Sequence, residues 1–173
     1  MKKYIFTVLL LFVGSMTVMA GSGIKVTKGN KNFLKTAEGN AVLFFDWENA
    51  TFDNKEPLVT KFSNLDALSQ VAYNGFTEIF NKKQRVKIVA DETDTKYRFT
   101  TKVTNMDQYF KVMGIVPGNA TKVWGILTIT GLSTGEVFVV IEVNEVDGGA
   151  NPSPDGSFSD CFEELAKLVA KLK

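Results

Sequence analysis

Three stretches in the second half of the chain read as strands, the first of them alternating with a period of two, and this run of strands limits the fold more than any other feature. Tyr97, Phe99, Thr101 and Val103 alternate with Arg98, Thr100, Lys102 and Thr104. A second stretch covers about Val123 to Thr130. A third runs from Glu136 to Val146, with Val137, Val139, Ile141 and Val143 on one face and Phe138 and Val140 thickening the other. Successive side chains of a strand point to opposite faces, so each stretch reads as a strand with one face toward a core. Pro117-Gly118-Asn119 reads as the turn before the second strand. Gly131 to Gly135 reads as a hairpin connection with two glycines for positive φ. The three strands are expected to be antiparallel neighbours.

Upstream the pattern differs. Ala41 to Phe45 is an apolar run between Gly39-Asn40 and Asp46, the mark of a strand buried on both faces. Leu65, Leu68, Ala72, Phe76 and Ile79 recur at spacings of three and four and predict an amphipathic helix, with Ser63 and Asp66 as its cap. Arg85 to Ala90 alternates again, so strand, helix and strand predict a crossover between parallel strands. Between the first strand and the helix, residues 47–62 show neither period, and long connections of that kind are often functional. Residues 21–39 are polar and read as an amino-terminal arm or a short edge strand. Residues 148–156 read as a linker, with Pro152 and Pro154 stopping any strand. A carboxyl-terminal helix over 157–172 carries Phe158, Phe162, Leu165, Leu168 or Val169, and Leu172 as its apolar stripe. The expectation is one α+β domain over 40–173, a mixed sheet of about five strands with two helices packed on one face.

The first twenty residues have the three parts of an export signal. Lys2 and Lys3 precede an apolar run from Tyr4 to Val13, and Val18-Met19-Ala20 supplies a cleavage site, so residues 1–20 are read as a signal peptide cut after Ala20. Gly14, Ser15 and Thr17 end the run too early for a membrane span. The cysteine needed for lipid attachment is absent from the cleavage site, so no stable membrane anchor is expected, and the location is periplasmic or secreted. Loss of Lys2 and Lys3 turns the formal charge of +1 into about −1. A near-neutral chain lacks the concentrated basic face that nucleic acid requires.

The chain has no histidine. That excludes a Ser-His-Asp triad, a Cys-His pair and an imidazole zinc site. Glycine-rich phosphate loops and the Gly-x-Ser-x-Gly elbow are absent too, so neither a catalytic set nor a cofactor motif is found. The candidate site is acidic: Asp46 and Glu48 follow the first strand, and Asp91, Glu92 and Asp94 follow the second. If those strands are parallel neighbours, all five reach one carboxyl-terminal sheet edge, where ligands of open sheets collect and where Ca²⁺ or Mg²⁺ would find oxygen ligands. The competing reading is that they end strands and stay hydrated. Cys161, the only cysteine, reads as a small buried hydrophobe at helical spacing from Phe158, Phe162 and Leu165.

Ala41 to Asp46, the strand start Asp94-Thr95-Lys96-Tyr97, the run Gly125 to Thr130 and the turn Ser133-Thr134-Gly135-Glu136 follow a familiar order. Over about residues 40–146 it resembles the small envelope modules related to the amino-terminal domain of TolB and to CsgG-like secretion components. The resemblance implies a non-catalytic α+β module working through contacts with an envelope protein partner. The sequence therefore favours an exported binding or assembly module, with a small-ligand or divalent-cation binder, or a hydrolase, as the alternative. Oligomeric state is left open.

Overall fold

Both halves of the sequence pattern feed one sheet. The computed structural model describes residues 23–113 and 116–172, and the expected signal peptide lies outside them. The elements in order are β1 (Gly23–Gly29), α1 (Phe33–Thr36), β2 (Gly39–Asp46), β3 (Thr51–Phe52), β4 (Glu56–Pro57), α2 (Leu58–Lys61), α3 (Leu65–Lys83), β5 (Val86–Ile88), β6 (Thr95–Met113), β7 (Val116–Gly131), β8 (Val137–Asp147) and α4 (Pro154–Ala170). The sheet order is β1-β8-β7-β6-β2-β5, with β3 paired to β6 and β4 to β3. β2 is parallel to β5 and β6, while β6, β7, β8 and β1 are antiparallel in succession.

The α+β class and the mixed sheet are as expected, but the sheet is larger. Eight strands and four helices are present among the described residues, against the expected five and two. Part of the difference lies in the amino-terminal segment. Ile24 and Val26 pair with Val143 and Ile141 of β8 and pack against the core, so β1 is an integral edge strand. The rest lies in residues 47–62, which hold β3, β4 and α2. Asn105 Oδ1 holds that connection in place by accepting from Thr51 Oγ1 and from the Asn54 amide, both at 2.9 Å.

α3 and α4 pack against each other and onto one face of the sheet. Phe99, Val103, Leu127, Ile129, Val139 and Ile141 point into that layer and are buried against Phe76, Phe80, Phe162 and Leu165. Burying one such side chain contributes roughly 1.5–3 kcal/mol. The opposite face stays open, with Arg98, Lys102, Ile126 and Glu142 exposed.

Local details correct the sequence reading. The α3 cap is Asn64, whose side chain accepts from the Ala67 amide at 2.9 Å, and not Ser63. α4 begins at Pro154, three residues before the expected start: Ser153 caps it, and a proline costs nothing in a first turn whose amides have no helical partner. In the β7–β8 turn only Gly135 has positive φ, at 67°, so one glycine serves where two were expected. Val137 is 39% exposed and leaves the core, because a register shift between the Ile129–Val139 and Thr130–Val137 pairs puts it on the face of Thr130 and not on that of Val139.

Candidate functional site

The five candidate carboxylates divide into two groups that the fold keeps apart. β5 pairs with β2 only over Gly39–Ala41, opposite Val86–Ile88. β2 continues to Asp46, about 17 Å beyond Ala41 at the ~3.3 Å rise of a parallel strand. β6 then opens with Thr95 opposite Asn40, so Asp91, Glu92 and Asp94 belong to a loop that returns to the amino-terminal end of β2. Asp46 and Glu48 stand at its carboxyl-terminal end. The shared acidic edge is therefore not formed, because β5 is three residues long and the chain turns back at once. Among the described residues no group of three or more His, Cys, Asp or Glu could hold a metal ion. Asp91 instead closes its own turn, accepting from the Thr93 amide and hydroxyl at 2.8 Å, and these bonds hold its pKa low. Glu92 meets Arg98 at 3.1 Å.

A cleft of about 690 Å³ opens at the carboxyl-terminal end of β2, between the 47–62 connection and the start of α3. Phe45, Asp46, Glu48, Val59 and Asp66 are among its lining residues, and no described Lys or Arg lines it. This is where an open sheet places ligands. Trp47 serves as a strut here: it is buried, its ring Nε1 donates to Ser69 Oγ at 2.7 Å, and Ser69 donates to the Leu65 carbonyl at 2.9 Å. A narrower groove of about 250 Å³ shares Phe45, Asp66 and Ser69 with the cleft and runs between Leu43 to Phe45 of β2 and Asp66 to Tyr73 of α3.

The feature that the sequence reading missed is a projecting ribbon. β6 and β7 stay paired from Tyr97 opposite Gly131 out to Met113 opposite Val116. β2 leaves β6 at Lys102, β3 leaves it at Met106, and β8 leaves β7 at Lys122. The pairs from Gln108–Thr121 outward therefore lie beyond the other strands, although Ala120 and Thr121 stay buried, with Thr121 Oγ1 2.9 Å from Ser157 Oγ of α4. Pro117-Gly118-Asn119 is part of β7, opposite Val112, Lys111 and Phe110, and is not the turn expected there. A period-two signal was present: Gln108, Phe110 and Val112 alternate with Tyr109 and Lys111. On one face Phe110 is 68% and Val112 64% exposed. On the other, Tyr109 and Lys111 reach Asp147 at the end of β8. The ribbon's β7 edge is tied to the 148–153 segment by paired amides of Asn119 and Asn151, at 2.7 and 2.8 Å.

Cys161 is fully buried and its thiol donates to the Val146 carbonyl at 3.1 Å. Burial pushes its pKa far up, which leaves a small core side chain without thiolate reactivity. Trp124 borders a shallow depression of about 350 Å³ on the open sheet face beside Ile126. No helix among the described residues is long and apolar enough to cross a membrane.

No family model matches the chain, and no curated protein matches it. Among solved structures, a PelC dodecamer from Paraburkholderia phytofirmans is similar at 17% identity over 86% of this chain and 94% of that one, with a TM-score of 0.45. A variant of the same PelC gives 12% identity over 84% and 95%, with a TM-score of 0.44. A homolog of the neuraminyllactose-binding hemagglutinin from Helicobacter pylori gives 8% identity over 84% and 87%, with a TM-score of 0.39. Likenesses at this level carry no functional assignment.

Proposed function

We propose that this protein is an exported, non-catalytic module of the cell envelope that binds an envelope protein partner through the β6–β7 ribbon. The observation that carries the reading is the ribbon itself, whose outer pairs leave the sheet and present Phe110 and Val112 to solvent. Large apolar side chains gathered on a projecting element mark an interaction site more often than scattered ones do. The signal-like residues 1–20 and the absence of histidine support export and a non-enzymatic role. Crosslinking in the envelope followed by capture of the chain tests it. One abundant partner, lost on Phe110→Ser with Val112→Ser, is expected, and an unchanged partner set in that variant overturns it.

The alternative, a small-ligand or divalent-cation binder, keeps only Asp46 and Glu48 of its five carboxylates in the cleft. A rise in melting temperature with Ca²⁺ or Mg²⁺, abolished by Asp46→Asn, is the result that would favour it.

A further inference from the structure

The sheet has two open edges of opposite chemistry. β5 covers β2 only as far as Ala41, after which the Val89 amide bonds the Ala41 carbonyl and the chain departs. Backbone groups alternate sides along a strand. Leu43 and Phe45 therefore direct their N–H and C=O to the same side as Ala41, where no described strand pairs with them. A groove of about 250 Å³ lined by Leu43 and Phe45 of β2 and by Ser69 and Tyr73 of α3 lies beside this edge. Around it stand Asp46, Glu48 and Asp66, none of them in an ion pair among the described residues.

At the far side of the sheet, β1 pairs with β8 along one edge only. Its outer edge and the α1 segment after it carry exposed Lys25, Lys28, Lys31 and Lys35, which also lack ion pairs among the described residues. Lysines on an edge strand discourage pairing with a like edge. They do not discourage pairing with an acidic one.

We infer that a second copy of this chain is the occupant: the outer edge of β1 in one copy adds to the open Leu43–Asp46 edge of β2 in the next and continues the sheet. The two surfaces differ and lie at opposite ends of the strand order, so the contact is head-to-tail, and it builds a ring where the rotation closes or a filament where it does not. Main-chain hydrogen bonds supply the pairing, and the lysines facing the carboxylates supply its selectivity. This contact lies beyond the proposed ribbon function, and either can fail alone.

Sedimentation velocity of the chain purified after export tests it, from micromolar to hundreds of micromolar. Species heavier than the monomer, whose uncleaved chain is 19.1 kDa and whose exported form is lighter by the signal peptide, are expected, and they should weaken from about 10 mM to about 1 M NaCl as the screening length falls from about 30 Å to about 3 Å. Lys25→Glu with Lys28→Glu, and separately Glu48→Lys with Asp66→Lys, should each weaken association more than about tenfold, because like charges then face each other. An equimolar mixture of the two variants should regain it. Phe110→Ser with Val112→Ser should leave it unchanged while removing the captured partner. A monomer at every concentration, an assembly indifferent to salt and to both reversals, or loss of assembly in the ribbon variant overturns the inference. Circular dichroism of each variant confirms that the fold survives, and the salt titration of the unaltered chain decides the matter if a variant does not fold.

Discussion

The Tyr109 hydroxyl donates to Asp147 Oδ2 at 2.6 Å, and Lys111 Nζ reaches the same oxygen at 2.8 Å. This contact joins the base of the ribbon to the end of β8, where the Gly149 amide also bonds Oδ1 at 2.8 Å. Burial would raise the Asp147 pKa, but the bonds from Lys111, Tyr109 and Gly149 outweigh it and hold the carboxyl below its ordinary value. A carboxylate depressed in the folded state adds stability that is complete above its unfolded value of about 3.9 and is lost as pH falls through the folded one. Asp147→Asn should cost about 1–2 kcal/mol at neutral pH, and the difference from the unaltered chain should shrink below pH ~4. Hydrogen exchange should speed up in the ribbon amides while the core strands stay protected. Equal exchange in both proteins would show that the contact does not hold the ribbon.

Phe110 and Val112 bury little within the chain, so their removal should be nearly neutral for folding. Phe110→Ser with Val112→Ser is expected to stay within about 0.5 kcal/mol of the parent in urea unfolding. A large loss would mean that these side chains pack in the folded chain in solution.

Gly75 lies in the middle of α3, where helix propensity alone predicts a gain of about 1 kcal/mol from alanine. A β-carbon there would stand 2.7 Å from the Ser159 carbonyl oxygen of α4, and backbone cannot swing aside as a side chain can. Gly75→Ala should therefore destabilise by about 1 kcal/mol net, as overpacking outweighs propensity. The sign of the change in thermal unfolding decides between the two effects.

Cys161 should resist thiol reagents in the native protein and react fully once denatured, because burial and the Val146 carbonyl favour the neutral thiol. Cys161→Ala should cost about 1 kcal/mol, a small cavity in the core. Rapid native labelling would show that the α4 layer opens readily.

The periodicities of the chain were enough to find the α3 stripe, the buried faces of Phe99 to Val103 and Val139 to Val143, and the crossover from β2 to β5. In α3 and these strands a single side is apolar, and burial of that side dictates the geometry; β2 is apolar throughout, yet it is not buried on both faces, since Phe44 is 45% exposed. The ribbon was present in the alternation of Gln108 to Val112, yet Pro117-Gly118-Asn119 carried a stronger turn signal and hid it. Pro117 sits in the last pairs of the hairpin, where the demand on ladder hydrogen bonds is weakest. β1 was obscured because Lys25, Lys28 and three surrounding glycines dilute its two apolar residues.

The sequence by itself determined five of the strands, the two long helices and the side most of them bury, because those follow from neighbours a few residues apart. Only the tertiary structure decided what lies beside what. Strand order and register set the distance between the carboxylates after β2 and those after β5, and a three-residue β5 sends the second group to the wrong end of β2 for a shared site. The same short strand leaves the backbone edge of Leu43 and Phe45 without a pairing strand among the described residues. Chain distance carries no record of such spacing, since it arises where one strand stops pairing and another does not.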